Sequence, residues 1–129
     1  MLYMQGSKKE NLEKIPEKQI NSVSDLFSIL SHPLRIKILW LLKRKKRLNV
    51  YEIQETLKVS QSNASQHLSL LKSHKLVTEE RKGKEVYYSL VASKKVSKIL
   101  LSAFNLIIYH MASSSEALAT YTEILSFLG

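Results

Sequence analysis

The chain has 129 residues, enough for one domain with its own hydrophobic core, and its 20 Lys and Arg against 11 Asp and Glu give a net charge of +9. This positive excess favours a polyanionic partner, and the absence of cysteine excludes disulfides, thiolate metal sites and thiol redox switches. Because no stretch has the apolar core of a signal peptide or the length of a membrane span, we expect a cytoplasmic protein that contacts no membrane.

The charge is unevenly distributed along the chain. Residues 33–47 contain Arg35, Lys37 and a continuous run of cations at positions 43–47, without an acid, whereas residues 99–129 contain no Lys or Arg. The first region predicts contact with a phosphate backbone, and the second predicts contact with an apolar surface.

The start of the chain predicts a tail followed by a helix. We expect residues 1–15 to form a flexible polar tail, and a first helix to begin with Pro16 at its first position or near Ser22. Its predicted core-facing residues are Val23, Leu26, Phe27 and Leu30. We expect His32 to cap the next helix, whose first turn suits Pro33.

The second predicted helix combines an apolar stripe with a cationic end. Its predicted buried residues are Leu34, Ile38, Leu41 and Leu42, widened by Ile36, Leu39 and Trp40. The cations that follow include Lys45 and Arg47, which either complement the negative end of the helix dipole or contact phosphates.

A pair of short helices comes next. Asn49 and Glu52 have the spacing of a capping box for a helix over residues 50–57. Lys58-Val59 makes a tight connection to Ser60, which stands at the N-cap of the following helix. Two helices joined by about three residues, the second with a polar outer face, are the helix-turn-helix pattern.

The second helix of this pair has two chemically distinct faces. Its apolar stripe is Ala64, Leu68 and Leu71. The opposite face is Gln61, Ser62, Ser65, Gln66 and Ser69. Uncharged side chains of this kind approach base edges closely, because Gln pairs with adenine and Ser both donates and accepts; taken alone, the face also fits a polar surface helix without a ligand. We expect His67 to orient the helix or contact a phosphate, and His74 to end it.

The hydrophobic period then changes from helical to alternating. Residues 76–81 and 85–90 predict two strands joined at Gly83, which supplies the positive φ of a hairpin turn. The tip carries Arg81, Lys82 and Lys84. A hairpin directly after a helix-turn-helix is a wing, and its cationic tip suits phosphate or minor-groove contact, the alternative being a solubilising turn.

The end of the chain is apolar. Ser93 can cap a long helix reaching to about Met111 that is apolar around most of its circumference, and Ser113 with Glu116 opens a last helix. A domain of this size cannot cover such a helix on all sides, so a partner chain is the simplest cover. We therefore predict a DNA-binding core over residues 16–92 and dimerisation helices over 93–129.

Three motifs together resemble the ArsR/SmtB winged-helix repressors. They are LSHPLRIKIL at residues 30–39, SQSNASQHL at 60–68 and RKGKEVYY at 81–88, and the similarity covers roughly residues 22–110. The resemblance implies a mainly α fold with a small β-hairpin wing (α+β). It further implies a homodimer paired through its first and last helices, and binding to palindromic operators in double-stranded DNA.

The resemblance also assigns residues to roles. Ser62, Ser65 and Gln66 would face the bases, and Ser60, Gln61, His67, Arg81, Lys82, Lys84, Lys45 and Arg47 would lie near the DNA backbone. The dimer interface would contain Leu26, Leu100, Ala103, Phe104, Ile107, Ile108, Leu118 and Tyr121.

The chain departs from the family at its metal sites. Metal-sensing members often carry a Cys-x-Cys motif before the recognition helix, where this chain has Asn49 and Tyr51. A second family site uses Asp, His and Glu on the last helix, where this chain offers His110 and no acid before Glu116. We therefore expect no bound metal and no cofactor.

Function is predicted from these features as sequence-specific DNA binding, most simply by a repressor that competes with polymerase. The alternatives are an architectural DNA-binding protein with little sequence preference and a module for protein contacts. The sequence contains no phosphate loop, no credible carboxylate pair and no activated nucleophile, so we do not expect an enzyme. The effector stays open between a small apolar molecule near Phe104, Tyr109 and Tyr121, a protein partner, and no effector.

Overall fold

The computed structural model describes residues 14–110 and 115–128, with part of the side chains in the last two helices. The elements in chain order are α1 (Glu17–Leu30), α2 (Pro33–Lys45), β1 (Arg47–Asn49), α3 (Val50–Leu57), α4 (Gln61–Ser73), β2 (Val77–Lys82), β3 (Glu85–Leu90), α5 (Ser93–His110) and α6 (Ser115–Leu128). The predicted winged helix-turn-helix architecture is confirmed. Most of the predicted tail, residues 1–13, lies outside the described residues.

The helix starts follow from local capping chemistry. Helix α1 begins at Glu17 with Pro16 as its N-cap residue, one residue after the first of its two predicted starts. The Leu34 N–H donates to Nδ1 of His32 at 3.1 Å, which confirms the histidine cap of α2. Before α3, the Glu52 N–H donates to Asn49 Oδ1 at 2.8 Å and the Asn49 N–H donates to the Glu52 carboxylate at 3.1 Å, so the capping box is confirmed.

The sheet contains one strand more than predicted. It is antiparallel with the order β1-β3-β2, and β1 pairs Arg47 with Ser89 and Asn49 with Tyr87. The predicted cationic end of α2 is interrupted because Lys46 adopts a φ of 67°, which ends the helix and turns the chain into β1. Strand β1 attaches the helix-turn-helix to the wing by backbone hydrogen bonds.

The core fixes α4 from beneath. The largest fully buried side chains are Ile38, Leu39, Leu42, Ile53, Leu68, Leu71 and Val77. They come from α2, α3, α4 and β2, so the apolar stripe predicted for α4 packs against three other elements. With an apolar transfer energy of about 25 cal/mol per Å², seven such side chains dominate the stability of the domain.

The predicted core face of α1 is wrong in part. Val23 and Phe27 are 49% and 63% exposed, Leu26 and Leu30 are half-buried, and Ile29 is the buried residue of this helix. The physical reason is that α1 buries residues only in its last turns, so the stripe that includes Ile20, Val23 and Phe27 is left exposed by the described part of the chain.

The last two helices join the core at a few positions. Val96 and Leu100 of α5 and Ile124 of α6 are each about 5% exposed or less, whereas Leu106 and Leu118 are exposed. In the described part of the chain, none of the helices combines the length and apolar character needed to cross a membrane.

Candidate nucleic-acid interface

Helix α4 presents the predicted polar face to solvent. Gln61, Ser62 and Gln66 are exposed and Ser65 is half-buried. Since Ala64, Leu68 and Leu71 are fully buried on the opposite side, the rotation of α4 about its axis is fixed by packing. The face is therefore held in a fixed orientation, and none of its five residues, Gln61, Ser62, Ser65, Gln66 and Ser69, is charged.

Ser60 organises the start of this helix. Its Oγ accepts a hydrogen bond from the Asn63 N–H at 3.2 Å and lies 3.4 Å from the Ser62 hydroxyl. The N-cap role predicted for Ser60 is confirmed. At the other end His74 is the C-cap residue, so its predicted role in ending the helix is confirmed as well.

The predicted phosphate contact of His67 needs correction. Its side chain is 8% exposed, because position 67 lies on the same side of α4 as Ala64, Leu68 and Leu71. Its Nδ1 lies 3.1 Å from an Arg35 nitrogen, and its ring centroid lies 4.4 Å from that of His32. Of the two predicted roles, orientation of the helix is the one that this position supports.

Arg35 is a positioning residue that the sequence pattern does not reveal. Besides contacting His67, it donates to the backbone carbonyls of Ile29 and Ser28, so one guanidinium joins α1, α2 and α4. Burial, with His32 and Arg35 nearby, lowers the pKa of His67 below its ordinary value. The imidazole therefore stays neutral at neutral pH.

The wing carries its cations at the tip. Strands β2 and β3 pair Lys82 with Glu85, so Gly83 and Lys84 form a two-residue turn in which Gly83 has a φ of 63°. Arg81, Lys82 and Lys84 are all exposed. The tip thus offers three ammonium or guanidinium groups to an approaching anion.

Side chains tie the wing to the helix-turn-helix. The Glu85 carboxylate accepts from the Tyr87 hydroxyl at 2.6 Å and from the Asn49 amide at 3.4 Å. The hydrogen bond to Glu85 raises the pKa of Tyr87. On the other strand Lys72 of α4 forms an ion pair with Glu79 of β2, which lowers the pKa of Glu79. These contacts therefore connect the wing to the helix-turn-helix.

The two predicted backbone cations outside the wing lie in different places. Arg47 has its guanidinium carbon 4.5 Å from the Tyr87 ring centroid, against the wing. Lys45 is exposed at the end of α2, where the neighbouring Lys43 donates to Ser93 Oγ at 3.4 Å. Because Ser93 follows the end of β3 opposite to the turn, this cluster lies at the base of the wing and not at its tip.

The predicted dimer residues divide into three groups. Leu100 is buried in the core of its own chain, so its predicted place in the dimer interface needs correction. Leu26 is half-buried, and Ala103 and Leu118 are exposed. The side chains of Phe104, Ile107, Ile108 and Tyr121 lie outside the described residues. Sequence reasoning missed the exposed stripe of α1, Ile20, Val23 and Phe27, because its helical spacing is also that of a core face.

Metal ligands do not converge within residues 14–110 and 115–128, where no three His, Asp or Glu side chains are placed to share an ion. Asn49, at the first position of the family's Cys-x-Cys motif, is engaged in the capping box. The His110 side chain lies outside the described residues, so the predicted absence of a metal stays a prediction.

The sequence comparison and the structure comparison both match this chain to transcriptional repressors. A family model described as a helix-turn-helix domain matches residues 30–80, which include α3 and α4. The transcriptional repressor PagR of Bacillus anthracis is 38% identical over 77 residues, which are 60% of this chain and 77% of that protein. The transcriptional repressor SmtB of Mycobacterium tuberculosis is 38% identical over 88 residues, 68% of this chain and 64% of that protein.

Solved structures of such proteins share the fold. The crystal structure of PagR superposes with a TM-score of 0.57 at 35% identity and covers 66% of this chain and 97% of its own. The crystal structure of Rv0081 from M. tuberculosis gives a TM-score of 0.66 at 27% identity, covering 77% of this chain and 96% of its own. The similarity therefore extends over most of the described fold.

Proposed function

This chain belongs to the ArsR/SmtB family of winged helix-turn-helix transcriptional repressors, which bind specific DNA sequences, and we propose that it acts as a homodimer on a palindromic operator. The observation that carries the proposal is the rigid, uncharged face of α4 beside a cationic wing tip. A face of this kind gains its affinity from base edges, whereas a binder without sequence preference gains more from Lys and Arg.

The described exposure supports a division of labour on this surface. Gln66 and Ser62 are exposed on the outer face of α4 and are assigned to base edges, with Ser65 beside them. Ser60 and Gln61 stand at the first turn, where the positive end of the helix dipole favours a phosphate.

The wing supplies the second contact with DNA. Arg81, Lys82 and Lys84 extend from a hairpin that is fixed to α4 through Lys72 and Glu79. Cations in that position neutralise phosphates and release counterions, which makes binding strongly dependent on salt. Arg47 is assigned to the backbone with them, and Lys45 to DNA that passes the base of the wing.

The proposed dimer is supported by apolar surface that the described part of one chain leaves exposed to solvent. The stripe of α1 and the exposed Leu106 and Leu118 of the last helices offer large side chains to water. A second copy would cover them, and binding to a palindromic operator would require the two α4 helices of the dimer to lie about 34 Å apart, one turn of B-DNA. We assign residues 16–92 to the DNA-binding core and residues 93–129 to dimerisation, and we propose that α1, although part of the core, also contributes to the dimer interface.

We also propose that this repressor works without the metal sites of its family. Asn49 and Tyr51 stand where thiolates would be needed, and Asn49 instead caps α3. The effector is then an organic molecule or a protein, or the occupancy of the operator follows the protein concentration alone.

Selection from a pool of random DNA duplexes tests the proposal. The expected product is an inverted repeat with half-sites centred about 10 base pairs apart, bound with unchanged affinity in the presence of a chelator. Enrichment without a consensus would contradict the proposal and favour the architectural alternative, which the net charge of +9 allows.

A further inference from the structure

One side chain connects the exposed helix α1 to the recognition helix α4. Arg35 donates from Nε to the Ile29 carbonyl and from Nη2 to the Ser28 carbonyl at 3.4 Å, both in the last turn of α1. From Nη1 it contacts Nδ1 of His67 at 3.1 Å. The three contacts use the fork of the guanidinium, which a Lys ammonium cannot reproduce.

The donor pattern fixes the protonation of the histidine. A guanidinium has no acceptor, so Nδ1 of His67 must accept, and the neutral ring carries its proton on Nε2. Nδ1 of His32 accepts from the Leu34 N–H in the same way. The two imidazoles, with ring centroids 4.4 Å apart and planes inclined by 46°, are thus both used as acceptors.

We propose that Arg35 positions α4 through His67, and that this link opens when His67 takes up a proton, so that acid weakens specific DNA binding. The inference rests on the proposed function and adds to it a means of regulation. It concerns the placement of α4, since neither Arg35 nor the buried His67 is assigned to a contact with DNA.

Protonation removes the link for two reasons. The ring nitrogen that accepts from Arg35 becomes a donor, and a second positive charge appears beside the guanidinium in a site where His67 is 8% exposed. Burial and both neighbours lower the pKa of His67 from 6.5, so the link is complete above that pH and is lost as the pH falls through the lowered value.

The surroundings of His67 offer nothing to compensate the new charge. In the described part of the chain, α2 presents His32 and Arg35 to it, and α1 presents the carbonyls of Ser28 and Ile29 through Arg35. On the β2 side of α4 the acid Glu79 is paired with Lys72, and α3 contributes no charged group to the environment of His67. A proton on His67 therefore meets cations without a neighbouring carboxylate.

A fall in pH is expected to affect binding to the operator and binding to nonspecific DNA differently. Acid adds positive charge to the protein, which strengthens binding to any DNA. Loss of the link instead removes the connection between α4 and the last turn of α1 in both protomers, while the core contacts of α4 remain, and we expect it to weaken binding to the operator alone. Specific and nonspecific affinities are thus expected to change in opposite directions as the pH falls.

The test compares wild type, His67→Asn and His74→Asn as full chains, with the operator and a scrambled duplex at fixed ionic strength. His67→Asn keeps an acceptor near the position of Nδ1 but does not titrate, and His74 is an exposed histidine at the end of the same helix. As the pH is lowered stepwise from about 8 to below 6.5, over the range in which each variant stays folded, we expect operator affinity to fall about tenfold for wild type and His74→Asn, and less than about twofold for His67→Asn.

Arg35→Lys gives a second, independent variant. At about pH 8 we expect it to bind the operator about tenfold more weakly than wild type, with a flat pH profile, while affinity for the scrambled duplex is unchanged. A circular dichroism melt of each variant at each pH establishes the range in which it is folded.

Two outcomes would overturn the inference: a pH profile of His67→Asn equal to that of wild type, or an Arg35→Lys variant that keeps the wild-type affinity and profile. Failure of the proposed function is a separate result, because it would show in wild type at about pH 8 as equal affinity for operator and scrambled DNA.

Discussion

Single side chains on the proposed DNA-binding surface differ in what they can recognise. Gln66 is proposed to pair its amide with one base edge, whereas Lys84 is proposed to bind phosphates of any sequence through its ammonium group. Both are exposed, and neither contributes to the buried core. Substitutions at these positions therefore separate specificity from affinity without a cost in stability.

Gln66→Ala should relax specificity. Removal of a bidentate hydrogen-bonding group is expected to cost about 1–3 kcal/mol on the preferred operator and to leave affinity for a base-substituted operator nearly unchanged. Competition binding with operators substituted one base pair at a time measures this directly. An equal loss of affinity on every operator would show that Gln66 binds the backbone.

Lys84→Gln should weaken binding to all sequences about equally. Because each wing then neutralises one phosphate fewer, the slope of log affinity against log salt is expected to fall by about one per wing. Titrations at several salt concentrations measure the slope, with Lys18→Gln on α1, far from the wing in sequence, as the matched control. A loss of affinity confined to the preferred operator would place Lys84 at a base edge.

Roles set by neighbouring residues are predictable from the sequence, and roles set by tertiary contact are not. The caps His32, Asn49 and Ser60 bond within three residues of themselves, so their spacing reveals them. The Arg35–His67 contact spans 32 positions, and the sequence carries no sign of it. For the same reason the sequence allows His67 either to orient α4 or to contact a phosphate, whereas its burial in the structure fits only the first role.

Among the elements, the wing has a turn that contains a glycine with positive φ. Gly83 has a φ of 63°, and a Cβ added there would meet no atom within 4 Å. The cost of a side chain at this position is therefore conformational, not steric.

Gly83→Ala is expected to lower the free energy of unfolding by about 1–2 kcal/mol, because an L-residue resists the left-handed region. Urea unfolding followed by circular dichroism measures the change. Lys84→Ala is the control, because the neighbouring Lys84 has no positive φ. It should shift the free energy of unfolding by less than about 0.5 kcal/mol. Equal stability of Gly83→Ala and wild type would contradict the account of this turn.

The elements that sequence reasoning missed or misplaced share one cause. Strand β1 has only three residues, and its pattern is hidden by the cationic run before it and the capping box after it. The stripe of α1 has the helical period of a buried face, but periodicity does not tell which chain covers that face. Pairing with β3 and exposure of Phe27 become visible only in the folded chain.

For the whole molecule, the exposed stripe of α1 is the surface on which the proposed dimer depends. Phe27→Glu should convert the proposed dimer to monomers, because a charge buried in an apolar interface without a partner costs several kcal/mol. Sedimentation velocity measures the change in mass, and Asn21→Glu on the polar side of α1 is the control. A dimer that survives Phe27→Glu would place the interface elsewhere.

The scale of the whole molecule is also where the sequence is most informative about function. The order of the helix-turn-helix, wing and apolar end follows from local patterns, and the relatives PagR and SmtB are similar to the chain over 60% and 68% of its length. The operator sequence and the effector could not be predicted, since both depend on contacts with molecules that the chain's own packing does not constrain.

Fluorescence anisotropy with the selected operator and a scrambled duplex of the same base composition, each at two salt concentrations, tests the central claim most directly. Sequence-specific repression predicts a preference of about a thousandfold or more for the operator, with the two affinities falling in parallel as salt rises. Equal affinity for both duplexes at each salt concentration would contradict it.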